Sequence, residues 1–421
     1  MNIALPSSAV LLLGAVALAG CADRSTGPTP AAQLSASAAA GVPFSESLAS
    51  SAWQALARGQ VPGAKLNPVA ASRVYATLAV ADYRAVQAVE NGEGEPPTEL
   101  LPGAGLGRGG RERLEAERGA VAGASAVVLT SFFPGSSAQF EDAVQQQENA
   151  GPGGPHPAFV AGEELGRQTG QEVVAAAATD GFSVPWTGTV PVGSGYWFSA
   201  GPQLNTVGGA MLTHTRPFFI THGQFPPGPP PLFGSQEYLT ALHEIRQISD
   251  TRTSEQTAIA IFWAMNAGTI TTAGYWNQVA ADAIDAHGLT EREAAHVYAL
   301  LDATMFDAAI ACWDAKLTWW FIRPSQADPG IKLIPVVGLP NHPSYPSGHS
   351  CSSSAVAEVL SHFFPDQRAQ LDAMLAQAGL ARMYAGIHYR FDIEAAVGIG
   401  RGVARFAIMA DASGNSVLTP H

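Results

Sequence analysis

Apolar and small residues recur at helical spacing along most of the chain. Asn67 to Glu90 alternates them with that period, interrupted by Arg73, Asp82 and Arg84. Arg111 to Phe133 opens charged and turns apolar, and Gly162 to Thr179 closes at Asp180-Gly181. Gln236–Ile248, Ser254–Asn266, Tyr275–Ala286, Thr290–Trp320 and Ser352–Phe364 follow. Thr290 with Glu293 three residues on has the form of a capping box, which gives the 290–320 helix a defined start. No convincing strand and no repeat period are visible, so the pattern predicts an all-α protein.

Gly- and Pro-rich segments separate the helices. The main ones are Asn91–Gly110, Gly151–Pro157, Pro185–Gly209 and Phe225–Gly234. The run Pro226 to Pro231 should be locally extended, a stiff connector between elements. Long loops on a helical scaffold often shape the entrance to a site. Trp186, Tyr196, Trp197, Phe218, Phe219 and Phe225 either line such an entrance or pin the loops to the core.

The start of the chain has a different character. An apolar run from Ala9 to Ala19 is too short to span a bilayer as a stable helix. It ends in Leu18-Ala19-Gly20-Cys21, the form of a bacterial lipobox. The expectation is export, cleavage before Cys21 and lipidation of Cys21; the alternative is an ordinary secretory signal with a chance cysteine. Residues 1–20 are then a signal peptide, 21–40 a Ser/Thr/Pro/Ala-rich tether, and 41–421 the helical domain. This places the protein in the periplasm or on the outer membrane, with the lipid as its one membrane contact. Beyond the leader no stretch offers 18 uninterrupted apolar residues, which argues against a polytopic membrane protein.

Charge narrows the partners. Charged residues are 14% of the chain and hydrophobic residues 47%, a balance that suits packed helices. A net charge of −13 argues against nucleic acid and against an anionic membrane surface. Lys and Arg number only 22, so a cluster of them stands out.

Such a cluster lies in the C-terminal third, as three signals. Lys316 is followed after six residues by Arg323-Pro324; then comes Ser344-Tyr345-Pro346-Ser347-Gly348-His349-Ser350; then Arg382, five residues, His388, and Asp392 four further on. Three cations, two histidines and a serine–glycine turn suit a tetrahedral oxyanion. Lys316, Arg323 and Arg382 can neutralise its oxygens through charge-assisted hydrogen bonds. Ser347 offers a hydroxyl, and Gly348 a backbone N–H that no side chain screens. The helix after them turns its positive end toward the anion. Asp392, one helical turn after His388, can orient the imidazole or pair with an arginine.

These three blocks resemble the type 2 phosphatidic acid phosphatase and vanadium haloperoxidase superfamily: Lys-x6-Arg-Pro, Pro-Ser-Gly-His, and Ser-Arg-x5-His-x3-Asp. Ala381 departs from the pattern, standing where the serine before the arginine is expected. Arg73–Val86, Arg252–Trp263, Tyr275-Trp276-Asn277 and Pro217-Phe218-Phe219 are similar to soluble bacterial members of the haloperoxidase branch. The resemblance implies two stacked four-helix bundles with long Gly/Pro-rich loops and the anion site at one bundle end. It implies vanadate as cofactor, with phosphate able to occupy the same place. His388 is then the single protein ligand to vanadium, Lys316, Arg323, Ser347, Gly348 and Arg382 hold the oxygens, and His349 is the acid–base residue. Hydrogen peroxide, a halide and a small organic acceptor are the implied reactants, and self-association as a homodimer is implied as well.

A phosphatase of the same superfamily would use the same residues differently. His388 becomes the nucleophile of a phosphohistidine and His349 protonates the leaving alkoxide. A third alternative is a non-catalytic lipoprotein that binds oxyanions, against which the pair His349 and His388 argues. Trp313, three residues before Lys316, with Trp319, Trp320 and Phe321, resembles the aromatic wall of haloperoxidase pockets. His342, seven residues before His349, matches a position that looks like histidine in bromoperoxidases and phenylalanine in fungal chloroperoxidase. The expectation is a preference for bromide or iodide. Cys312 and Cys351 either form a disulfide behind the site or remain two buried thiols. His214, His222, His243, His287, His296 and His362 lack metal-ligand spacing and read as structural.

Overall fold

A computed structural model describes residues 48–92, 109–150, 156–199, 206–414 and 416–418. The proposed leader, the tether and Cys21 lie outside the described residues. Among the described residues thirteen α-helices follow in order: α1 (Ala49–Gly63), α2 (Pro68–Asn91), α3 (Gly109–Phe132), α4 (Ser137–Glu148), α5 (Pro157–Ala178), α6 (Gln236–Thr251), α7 (Ser254–Phe262), α8 (Thr271–His287), α9 (Glu291–Trp319), α10 (Pro324–Ala327), α11 (Gly348–Phe363), α12 (Arg368–Tyr384) and α13 (Arg390–Ala412). Among the described residues there is no strand, only one isolated bridge between Tyr196 and Phe321. The fold is all-α.

Helix α9 is the axis of the packing. It touches α1, α2, α8, α11 and α13. The capping box forms at its start, where the Glu293 carboxylate accepts from the Thr290 N–H at 2.8 Å. Beside it the buried Glu291 carboxylate accepts the N–H groups of Ala49 and Ser50 at 2.6 and 2.8 Å, so one side chain caps α1 from α9. Among the described residues α9 is the one helix long and apolar enough to cross a membrane, yet 94% of that window is buried inside the protein. Its hydrophobicity is that of a core helix.

Close backbone contact holds α3 to α5. Gly119 and Gly123 on α3 lie against the backbone of Phe159 and Glu163, Gly162, Gly166 and Gly170 on α5 lie against that of Ala116, Ala120 and Ala124, and a methyl group at Gly166 would overlap the Ala120 carbonyl. Small residues at four-residue intervals let the two backbones meet. A polar core ties α1, α8 and α9: Asn277 donates to Asp302 at 2.8 Å and to Gln54 at 3.1 Å, and accepts from Arg58.

The loops are pinned. The buried Asp307 carboxylate on α9 accepts the N–H groups of Phe218, Phe219 and Ile220 at 2.8, 2.7 and 3.2 Å. Tyr345 donates to the Gly228 carbonyl in the proline run at 2.6 Å. Trp186 and Trp197 pack at a tilt on Trp320, and Phe218 and Phe225 pack edge-on against Phe306 and Phe406. These aromatics fasten loops; they do not form an entrance.

Helix α7 stops at Phe262, four residues earlier than the periodicity predicts. Trp263 caps it and Met265 turns left-handed at φ 36°. Helix α11 begins at Gly348, four residues earlier than expected, because Ser347 serves as its N-cap.

Candidate active site

Five elements converge on one end of α9. Lys316 stands in the last turn of α9, and Trp320 at φ 50° reverses the chain. Arg323 follows in extended conformation, as a residue before proline must be. Ser347 caps α11 and Gly348 opens it. Arg382 ends α12, where Gly386 at φ 76° breaks the helix and allows His388 to turn inward before α13 starts. Asp392 lies in the first turn of α13. Lys316, Arg323, Ser347, Arg382, His388 and Asp392 are all buried.

Hydrogen bonds fix the state of both imidazoles. His388 Nδ1 lies 2.8 Å from Asp392 Oδ2, and His388 Nε2 lies 3.0 Å from an Arg323 nitrogen that can only donate. Nδ1 therefore carries the proton and Nε2 presents a lone pair. Asp392 Oδ2 also accepts from the Ser344 hydroxyl at 2.6 Å and the Tyr389 N–H at 3.1 Å. His349 Nε2 lies 3.1 Å from the Trp263 carbonyl, so Nε2 carries its proton and Nδ1 is the basic nitrogen. The same carbonyl accepts from Arg382 at 3.2 Å. Trp263 is itself held by its indole, which donates to Gln377 on α12 at 3.0 Å.

Lys316 is placed differently from the sequence expectation of an oxygen-binding donor. Its ammonium donates to the carbonyls of Pro343, at 2.8 Å, Ser344, at 3.0 Å, and Pro346. An ammonium has three N–H bonds and this loop offers three acceptors. Lys316 thus brings its charge and braces the loop that carries Ser347 and Gly348. Ser347 Oγ accepts from Ser350, which leaves its own proton to donate.

Three buried cations share the site with one buried carboxylate, and burial moves the acidity of each. Burial pulls Lys316 down to about 8, Arg323 to about 10 and Arg382 to about 9. Burial first, then the neighbouring cations, holds His342 and His388 well below the usual histidine value. His349 is depressed for the same reasons, Arg382 being the nearest cation. Burial raises Asp392 to about 6. An uncompensated buried charge costs several kcal/mol, by rough estimate. The Nε of Arg382 is buried without any partner. Surplus positive charge, an orphaned guanidinium N–H and a helix N-terminus together suit a bound anion.

A cavity of about 250 Å³ opens onto this set, lined at its inner end by His342, Gly348, His349, Arg382 and His388. Trp313 lines it and packs 5.0 Å from the His342 ring. His342 Nδ1 lies 3.0 Å from Arg323, which joins it to the cation cluster. Trp320 and Phe321 lie elsewhere: Trp320 packs at a tilt against Trp186 and Trp197, and Phe321 edge-on against Tyr238 and Tyr389. Of the aromatic wall expected from the sequence, Trp313 alone faces the cavity. Cys312 and Cys351 are free and buried, the Cys312 thiol 3.8 Å from the Pro346 carbonyl. Among the described residues no group of three His, Cys, Asp or Glu could hold a metal ion.

The family model of the PAP2 superfamily matches residues 296–412, the stretch from early α9 to the end of α13 that supplies the cations, both imidazoles and Asp392. Over this segment the chain is similar to the PAP2 superfamily. No curated protein matches the chain in sequence. Among solved structures it shares its fold with a bacterial vanadium-dependent iodoperoxidase at TM-score 0.68 and 23% identity, over 85% of this chain and 95% of that one. A bacterial vanadium-dependent chloroperoxidase is similar in its apo form, at TM-score 0.64 and 13% identity over 84% and 96% of the two chains. Its holo form gives 0.63 and 15% over 84% and 94%.

The PAP2 segment thus gathers every candidate anion-site residue named from the sequence. Two participants escaped sequence reasoning. Ser344, just ahead of Pro-Ser-Gly-His, fixes Asp392. The Trp263 carbonyl fixes His349 and Arg382, and a backbone acceptor leaves no mark in side-chain identity.

Proposed function

We propose that the protein is a vanadate-dependent haloperoxidase that oxidises bromide or iodide with hydrogen peroxide. The observation that carries this is His388: its Nδ1–H is locked onto Asp392, so Nε2 keeps a basic lone pair, which accepts from Arg323 and would turn to vanadium on loading, inside a buried pocket with surplus positive charge. Shared fold with haloperoxidases along more than four-fifths of the chain supports the peroxidase over the phosphatase. His388 would bind vanadium, with Arg323, Arg382, Ser347 and the Gly348 amide holding oxygens and Lys316 supplying charge from behind. Bound vanadate supplies a Lewis-acidic centre that makes peroxide oxygen electrophilic toward halide. His349 rests neutral, so its Nδ1 accepts the proton of incoming peroxide and returns it to the oxygen that leaves as water. The Trp263 carbonyl keeps the other nitrogen protonated throughout. His342, packed at a tilt against Trp313 and bonded to Arg323, sets the halide preference.

The test loads the protein with vanadate and follows bromination of a cyclic dione and triiodide formation, beside aryl phosphate hydrolysis. Halogenation without hydrolysis supports the proposal. Hydrolysis inhibited by vanadate, without halogenation, replaces it with a phosphatase acting through phosphohistidine at His388. His342→Phe should shift preference toward chloride; an unchanged ratio of halide rates removes that role. We further propose that the enzyme is exported and lipidated on Cys21. Cys21→Ser should then release it from the membrane fraction, and a variant that stays there refutes the anchor.

A further inference from the structure

The cavity reaches well past the anion site, and its outer walls come mostly from outside the PAP2 segment. Val69 near the start of α2 and Ala273 near the start of α8 form one side. The other side is a single face of α9: Met305, Ala309 and Trp313, spaced by four residues and so stacked along the helix, about 6 Å apart at each step. The order large, small, large leaves a slot over Ala309. Trp313 cannot swing to close it. Its indole donates to the Gly208 carbonyl at 2.8 Å, and Gly209 lies so close that a side chain there would overlap the ring.

The slot selects by charge and size. Arg382 is the one formally charged side chain on the cavity wall, and Lys316 and Arg323 lie just behind it. That field repels cations and offers an ammonium no carboxylate. The volume, about 250 Å³, falls below the roughly 300–1,000 Å³ of sites for drug-sized ligands. A thioether and an indole on either side of a gap suit an aromatic ring.

We propose that this slot binds the organic acceptor of the haloperoxidase, a neutral, flat, single-ring molecule, with its ring over Ala309 between Met305 and Trp313. The role as acceptor rests on the function proposed above; the binding does not. Halide, peroxide and a proton give hypohalous acid and one water. The bound ring then takes the halogen on carbon and gives up that carbon's hydrogen, releasing a second water. Halogenation inside the cavity is therefore positioned, where free hypohalous acid would choose by reactivity alone.

The probe is 3-methylphenol, titrated calorimetrically into the vanadate-loaded full chain without peroxide, with 3-methylbenzylammonium as the cationic control. Saturable 1:1 binding of the phenol and none of the ammonium is expected. Ala309→Leu, which fills the slot, should weaken binding at least about tenfold. Met305→Leu keeps the volume and loses the sulfur, and should weaken it about threefold; it carries the test if Ala309→Leu fails to fold. Bromination by the wild type should give an isomer ratio different from that of added hypobromous acid, and Ala309→Leu should return the ratio to that of the free reagent. No saturable binding, equal binding of the ammonium, or affinity unchanged in both variants overturns the proposal. Triiodide formation without phenol reports separately on the parent reading: if it is absent while phenol binding persists and responds to Ala309→Leu, the ring site stands and the haloperoxidase does not.

Discussion

At the scale of single residues, the site is governed by which protonation states burial permits. Folded His388 stays neutral well below 6.5, because burial and the cations around it oppose a second proton. Unfolded, it takes that proton near 6.5. The unfolded chain then binds more protons than the folded one, so this group's contribution to stability falls as pH drops below that value. His388→Gln should lose up to about 2 kcal/mol less than the wild type between about pH 7 and pH 5. Urea unfolding at the two pH values measures it, and equal losses would mean that folded His388 titrates normally. The identities of these residues were readable from spacing: Lys316 to Arg323, Pro346 to His349, Arg382 to Asp392. Their hydrogen bonds were not. Lys316 reads as an anion ligand in the sequence; that its ammonium also meets three carbonyls could not be read, because they belong to residues whose side chains say nothing about them.

At the scale of elements, two contacts between helices matter most. Gln377 on α12 holds the Trp263 indole, and Trp263 holds His349 through its carbonyl. Gln377→Leu should lower kcat about tenfold, with a shifted acid limb in the pH–rate profile and a peroxide KM within about twofold of wild type. A fall in activity with an unmoved pH profile would assign Gln377 to packing alone. Between α3 and α5, Gly166→Ala should cost about 1–3 kcal/mol in urea unfolding, since the added methyl overlaps the Ala120 carbonyl. An unchanged midpoint would show that the helices part freely. Long apolar periodicity made α2, α3, α5 and α9 legible. Helices α1, α4, α12 and α13 were missed for local reasons. Helix α1 contains Pro62, α4 is rich in glutamine at Gln145-Gln146-Gln147, and α13 is interrupted by Gly398, Gly400 and Gly402. Packing against α9, α11 or α3 supplies what those weak local patterns do not.

At the scale of the whole molecule, segments far apart in sequence build one cavity with positive charge at its inner end. An oxyanion that binds only the folded state should stabilise it. Inorganic phosphate at about 100 times its Kd contributes about 2.7 kcal/mol. Thermal unfolding with phosphate, against chloride at matched ionic strength, should therefore show a raised midpoint. Arg382→Met should lose most of that rise, and a midpoint indifferent to phosphate in the wild type would mean that no oxyanion site exists. Nothing in the sequence joins Val69, Ala273 and Ala309, because a cavity wall is made by tertiary packing and has no local period. The anion site could be read because its chemistry concentrates rare residue types; the slot could not, because alanine and valine are common everywhere in this chain.

The brace on the loop at Pro343 to Pro346 has a consequence for traffic. A segment held by three bonds to a buried ammonium cannot lift as a lid. Halide and peroxide then reach His388 by passing the same stretch of α9 that holds a ring. A crowded slot obstructs its own supply, so halogenation rates should rise with acceptor, peak, and decline as excess acceptor blocks the way.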